Sequence, residues 1–291
     1  MKSNKIIFAV LVLFVAIPFF AQSQEKEQLT IPLSDPNKEG KLDVGIINGS
    51  IKVIGYAGKE VMIEAVAADK NDRRTDNNNL NINLNRNVNT NDKGSAKGMK
   101  KISTNDGFEL TAKEKNNTVH VGVDNVNMLI NLTIKVPHKF SLKVSTINNG
   151  DISIENVNGN LEISNINGFI KMKNVAGSVV ANTINQDIIV NFIEVTPNTP
   201  MAFTTLNGKV DITFPASVKA NLKLKSDMGE VYTDFDIDVD KTPTKINQSI
   251  DKEKGLYKIK KDDWTYGKIN GGGFEIMMKT MHGNIYIRKV K

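Results

Sequence analysis

Gly150-Asp-Ile-Ser-Ile-Glu-Asn-Val-Asn158, Gly159-Asn-Leu-Glu-Ile-Ser-Asn-Ile-Asn167 and Gly168-Phe-Ile-Lys-Met-Lys-Asn-Val-Ala176 are three consecutive blocks of nine residues. Two looser copies begin at Gly177 and Gln186. Three apolar columns run through the blocks. The first is Ile152, Leu161, Ile170, Val179, Ile188; the second Ile154, Ile163, Met172, Ala181, Val190; the third Val157, Ile166, Val175, Ile184, Ile193. Self-similarity at a fixed short period is the mark of a repeat architecture. Two apolar residues flanking one polar residue make a short strand with a single buried face, because side chains alternate across the pleat. Gly and Asn supply the bends, since both tolerate left-handed backbone. One block cannot bury its face alone, whereas stacked copies form a continuous core. The expectation is therefore an all-β, single-stranded β-solenoid or β-helix of Gly-Asn-cornered rungs, with the third column turned inward at each bend. On that reading Asn156, Asn165 and Asn174 form one structural ladder, stacked about 4.8 Å apart.

The same columns extend outward from this stretch. Gly40-Lys-Leu42-Asp-Val44 and Gly49-Ser-Ile51-Lys-Val53 repeat them upstream, so the solenoid domain is expected over 40–291, with 24–39 a polar lead-in segment or cap. Downstream the motif returns at Leu206-Asn-Gly208-Lys-Val210-Asp-Ile212, at Leu222-Lys-Leu224, and last at Met281-His-Gly283-Asn-Ile285-Tyr-Ile287. Two polar excursions interrupt it, at about 69–101, rich in Asn and charge, and at about 240–272. Residues 1–23 have the layout of a signal peptide: Lys2 and Lys5, an apolar run from Ile6 to Phe20, and the small-x-small site Ala21-Gln22-Ser23. An exported chain follows, bound for periplasm, cell surface or medium, with no membrane span in its mature part.

The order Ile134-Lys-Val136-Pro137, Leu142-Lys-Val144-Ser-Thr146-Ile-Asn148-Asn-Gly150-Asp-Ile152-Ser-Ile154, followed by Asn207-Gly208-Lys-Val210-Asp-Ile212-Thr-Phe214-Pro215, resembles the bacterial putative-adhesin family of β-solenoid domains, also called toastrack-like. The likeness covers most of 40–291 and is strongest from 128 to 235. It implies an exported or envelope-associated, non-enzymatic domain and offers no catalytic residues to carry over.

Composition narrows the chemistry. The chain has no cysteine, which removes disulfides, thiolate metal sites and a cysteine nucleophile. A net charge of +6, spread along 291 residues, does not make a nucleic-acid surface. His120, His138 and His282 lack ligand spacing, so neither a metal nor another cofactor is expected. A polysaccharide-cleaving β-helix would carry acids in one outward column; here those columns read Asp151, Asn160, Phe169, Ser178, Asp187 and Ser153, Glu162, Lys171, Val180, Ile189. The binding candidates lie in the second excursion, where Tyr257, Lys260, Lys261, Trp264 and Tyr266 combine aromatic faces with charge suited to a sugar or an envelope protein. The function expected is an adhesive, binding or scaffolding module of the cell envelope. The alternatives are an envelope-stress accessory protein that binds a membrane partner and a polysaccharide-active enzyme. Oligomeric state is left open.

Overall fold

The computed structural model describes residues 26–68, 107–240, 246–251, 256–261 and 264–291. The signal-peptide pattern and the first excursion fall outside these residues. What is described is all-β: one large mixed sheet of 20 strands and a separate two-stranded hairpin, Ile246–Asp251 with Leu256–Lys261.

Most of the large sheet consists of two series of parallel strands. In one series, Gly40–Asn48 pairs with Phe140–Asn148, which pairs with Asn158–Asn165, then the second half of Ile170–Asn182, then Met201–Thr204. In the other, Ile51–Tyr56 pairs with Ile152–Glu155, then the first half of Ile170–Asn182, then Ile188–Val195, then Val210–Phe214. Register partners Ile152, Ile170 and Ile188 are 18 residues apart. Each rung therefore takes two of the nine-residue blocks, and successive blocks alternate between the series. The first two apolar columns are buried in both series, from Ile152 to Val190. Phe192 joins that core, stacked on Phe214 at 5.2 Å and edge-on to Phe203.

The 18-residue rung divides the third column and corrects the expectation that it is buried throughout. Bends from the second series back to the first carry Val157 and Val175, both buried, and a register shift puts Phe192 rather than Ile193 beside Val175. Bends from the first series to the second carry Ile166 and Ile184, and there Ile184 is exposed, as is the displaced Ile193.

Both ends of the rung order depart from chain order. Thr118–Val123 and Leu129–Pro137 pair with the outer side of the rung formed by Gly40–Asn48 and Ile51–Tyr56, opposite Phe140–Asn148 and Ile152–Glu155. At the other end, Phe274–Thr280 pairs with Met201–Thr204 on one side and with Ala220–Ser226 on the other. Ile285–Lys289 lies likewise between Val210–Phe214 and Val231–Thr233. The last motif copy is thus an inner rung. Antiparallel strands flank the parallel ones: Lys26–Pro32 on Glu60–Ala68, Glu60–Ala68 on Leu129–Pro137, and Leu110–Lys115 on Thr118–Val123 through the left-handed pair Asn116-Asn117. Thr265–Ile269, expected inside the second excursion, is a strand of the main sheet, antiparallel to Ala220–Ser226 and to Ile237–Val239.

Candidate functional site

The bend from the first series to the second is built by three adjacent positions that read Thr146-Ile147-Asn148, Asn165-Ile166-Asn167, Thr183-Ile184-Asn185, Thr205-Leu206-Asn207 and Thr280-Met281-His282. The first position is buried and polar in every case. Thr146 Oγ1 donates to the carbonyl of Gly49 at 2.9 Å, Asn165 Nδ2 to Gly150 at 3.1 Å and Thr183 Oγ1 to Gly168 at 3.2 Å. Thr205 Oγ1 donates to the Gln186 carbonyl and Thr280 Oγ1 to that of Gly208. Each rung is stitched in this way to a backbone carbonyl of its neighbour, so the buried hydroxyls and amide carry no desolvation cost unanswered. Glycine accompanies the stitch because the backbones come close: a Cβ on Gly168 would lie 1.9 Å from the Gly150 carbonyl oxygen, and one on Gly283 2.1 Å from that of Gly208.

The third position forms the ladder that does exist. Asn167 Nδ2 donates to Asn148 Oδ1 at 3.0 Å, Asn185 to Asn167 at 2.8 Å and Asn207 to Asn185 at 2.8 Å. Asn149 Nδ2 continues it to Asn48 Oδ1 at 3.2 Å. The single column expected of Asn156, Asn165 and Asn174 is split between the two kinds of bend. Asn174 Nδ2 donates to Asn156 Oδ1 at 3.2 Å, both residues with positive φ, whereas Asn165 is opposite Thr146 and belongs to the buried stitch.

The middle position carries the feature with functional content. Ile47, Ile147, Ile184, Leu206 and Met281 are each 38–43 % exposed, and Ile166 among them is half-buried. Six consecutive rungs place these side chains in one row, about 24 Å long at the usual strand spacing. On the five rungs from Ile47 to Leu206, the residue after the apolar one is always Asn (48, 148, 167, 185, 207), and the residue two before it is Gly45, Ser145, Ser164, Asn182 or Thr204. The row is therefore apolar and bordered by amides and hydroxyls, with no charge beside it until Lys279 and His282. Past the Asn ladder, Asp151 and Asp187 accept the backbone N–H groups of Phe169 and Lys209.

Of the sequence candidates, Tyr257, Lys260 and Lys261 belong to the strand Leu256–Lys261 of the separate hairpin. Trp264 and Tyr266 come together with Lys223: the Lys223 ammonium lies 4.8 Å from the Trp264 ring centre, and Tyr266 is the register partner of Lys223. A second aromatic cluster escaped the sequence reading because its members are far apart in the chain. Tyr232 stacks on Tyr286 at 5.3 Å, Arg288 lies 5.0 Å from the Tyr286 ring and holds Asp211 through two bonds of 2.6 and 3.1 Å. The Asp211 hydrogen bond and charge raise the Arg288 pKa, and the hydrogen bond to Glu230 raises that of the Tyr232 phenol. Asp211 is also 3.7 Å from the Lys209 ammonium, and three further outward carboxylates are paired: Asp43 with His120 at 3.5 Å, Glu155 with Lys52 at 3.4 Å, Glu162 with Lys143 at 3.9 Å. Among the described residues no three acidic or histidine side chains converge on a metal-sized space, and no helix is long and apolar enough to cross a membrane.

No protein-family model and no curated protein matches the chain. Among solved structures it is similar, at low identity over nearly its whole length, to bacterial proteins described as putative adhesins or cell-adhesion proteins. One from Clostridium sporogenes, described as a putative cell adhesion protein, is 13% identical over 92% of this chain and 100% of that one, with a TM-score of 0.41. A putative adhesin from Bacteroides fragilis is 14% identical over 92% of this chain and 98% of that one, TM-score 0.29. A putative adhesin from Parabacteroides merdae is 9% identical over 93% and 98%, TM-score 0.29.

Proposed function

We propose that this chain is an exported, non-catalytic β-solenoid that serves as an adhesive or scaffolding module of the cell envelope, and that it docks through the apolar row at the Thr-Ile-Asn bends. The observation that carries the reading is the row from Ile47 to Met281, since contiguous apolar surface held outside a core marks an interaction site far more often than isolated exposed residues do. The rungs that present it are fixed from both sides, by the buried hydroxyl stitch and by the Asn ladder. A rigid, repeating platform suits docking, which loses less entropy when the surface is already ordered. Binding rather than hydrolysis also agrees with the outward carboxylates, which are paired with Arg288 and Lys209, His120, Lys52 and Lys143 or accept backbone N–H groups.

Two measurements test this reading. Intact mass of the protein from producing cells should correspond to a chain starting near Gln24; retention of residues 1–23 would remove export. A photo-crosslinking amino acid at Ile184 should give adducts in intact cells, while the same group at Lys52, on the outward face of the second series, should not. Adducts at neither position, or equally at both, would remove the row as the docking surface.

A further inference from the structure

The apolar row has a spacing, a border and a charge gradient, and together these specify what covers it. Its knobs repeat once per rung, about 4.8 Å apart. The facing stripe of an α-helix repeats once per turn, about 5.4 Å, and falls out of step by about 3 Å over five rungs. A surface that stays in step along the whole row has the strand spacing itself, with one large apolar side chain per strand. The described chain carries one such surface, the row itself. The border points the same way: amides and hydroxyls can pair with one another, and five uncharged rungs offer nothing to repel an identical stripe.

We infer that a second copy of this chain packs on the row, the two stripes running antiparallel about a two-fold axis perpendicular to them. The direction follows from the ends. Lys279 and His282 border the Met281 rung, with the Lys225–Asp227 ion pair on the next rung adding no net charge, and Gly45 and Asn48 border the Ile47 rung. A parallel arrangement brings both Lys279 side chains together, whereas the antiparallel one sets each basic end against the other copy's neutral end and closes as an isologous dimer. In that register Ile47 faces Met281, Ile147 faces Leu206, and Ile166 faces Ile184 of the other copy. A narrow stripe lies at the low end of specific interface sizes, so the dimer is a weak one, with a dissociation constant between about 1 µM and 1 mM.

This inference rests on the docking role of the row, and the tests separate the two. Sedimentation of the purified protein should show a monomer–dimer equilibrium that shifts with concentration. Ile184→Asp with Leu206→Asp should abolish the dimer while the far-UV spectrum and thermal midpoint stay near those of the parent. Should that variant misfold, Ile184→Ser with Leu206→Ser keeps the test, read as at least a tenfold weaker dimer. Because the chain has no cysteine, introduced thiols report alone. A short bismaleimide should link a mixture of Ile147→Cys and Leu206→Cys proteins several times faster than either protein by itself. Preferential linkage of like to like would overturn the antiparallel arrangement. A protein that stays monomeric up to the highest concentration reached would overturn the second copy as occupant; adducts from Ile184 to a different protein in cells would then leave the docking role standing.

Discussion

Thr183 is buried at a bend, yet its hydroxyl donates to Gly168 of the neighbouring rung and so holds two rungs in register. Thr183→Val keeps the shape and removes the donor, and urea melts should show a loss of about 1–3 kcal/mol. Asn165 has the same duty, donating to Gly150 and accepting from the N–H of Ile166 at 2.7 Å. Asn165→Ala should cost a similar amount, whereas Asn185→Ala in the exposed ladder should cost about 0.5 kcal/mol, since water replaces the lost amide. Equal losses for the two would mean that the buried stitch is no stronger than the surface ladder. Gly168 is constrained more tightly still. With 1.9 Å between an added Cβ and the Gly150 carbonyl oxygen, Gly168→Ala must push two rungs apart and should lose about 2–3 kcal/mol in the same melts.

Strands and bends show which features of the chain could be read in advance. Two apolar columns from Ile152 to Val190 are buried as their alternation implies, because a strand's inward face follows from its own pattern. The destination of a bend does not. Val157 and Ile184 occupy equivalent places in their blocks, and only the pairing of distant strands sends one inward and leaves the other exposed. A signal was present: the buried bend residues follow Asn156 and Asn174, while the exposed ones mostly follow Thr146, Thr183, Thr205 and Thr280, with Asn165 standing in for Thr. Strand order left no such trace, and the Tyr232–Tyr286 stack is invisible without it. The interleaved C-terminal rung makes its own prediction. Ending the chain at Gly273 removes the buried Ile276, Met278, Ile285 and Ile287 from between two rungs, not from an end. Proteolysis of that variant should digest residues 220–233, whose parallel partners are gone; a protected 220–233 segment would mean that the last rung is terminal. At the opposite end Glu114 accepts from Ser34 N, Ser34 Oγ and Asn117 N, and the Ser34 hydroxyl bond chiefly holds its pKa below the usual 4.5. A carboxylate with a lowered folded pKa stabilises above its unfolded value and loses that contribution as pH falls through the folded one. The gap in urea midpoint between the parent and Glu114→Gln should therefore be full at pH 7 and close below pH 4.5. A gap unchanged at pH 3 would show that the charge has no part in it.

At the scale of the molecule, the described rungs share one interior and turn through two kinds of bend, and the proposed function depends on those bends being different. A nine-residue rung would bury Val157, Ile166, Val175 and Ile184 alike. The 18-residue rung buries Val157 and Val175 and turns the row of Ile147, Ile184, Leu206 and Met281 outward as a platform. The most direct measurement is a pair of urea melts at low protein concentration, Val175→Ser against Ile184→Ser. Val175→Ser should lose about 3 kcal/mol through the cavity and the buried hydroxyl, and Ile184→Ser less than about 1 kcal/mol. Equal, large losses at both positions would place Ile184 in the core and leave the molecule without the surface through which it is proposed to act.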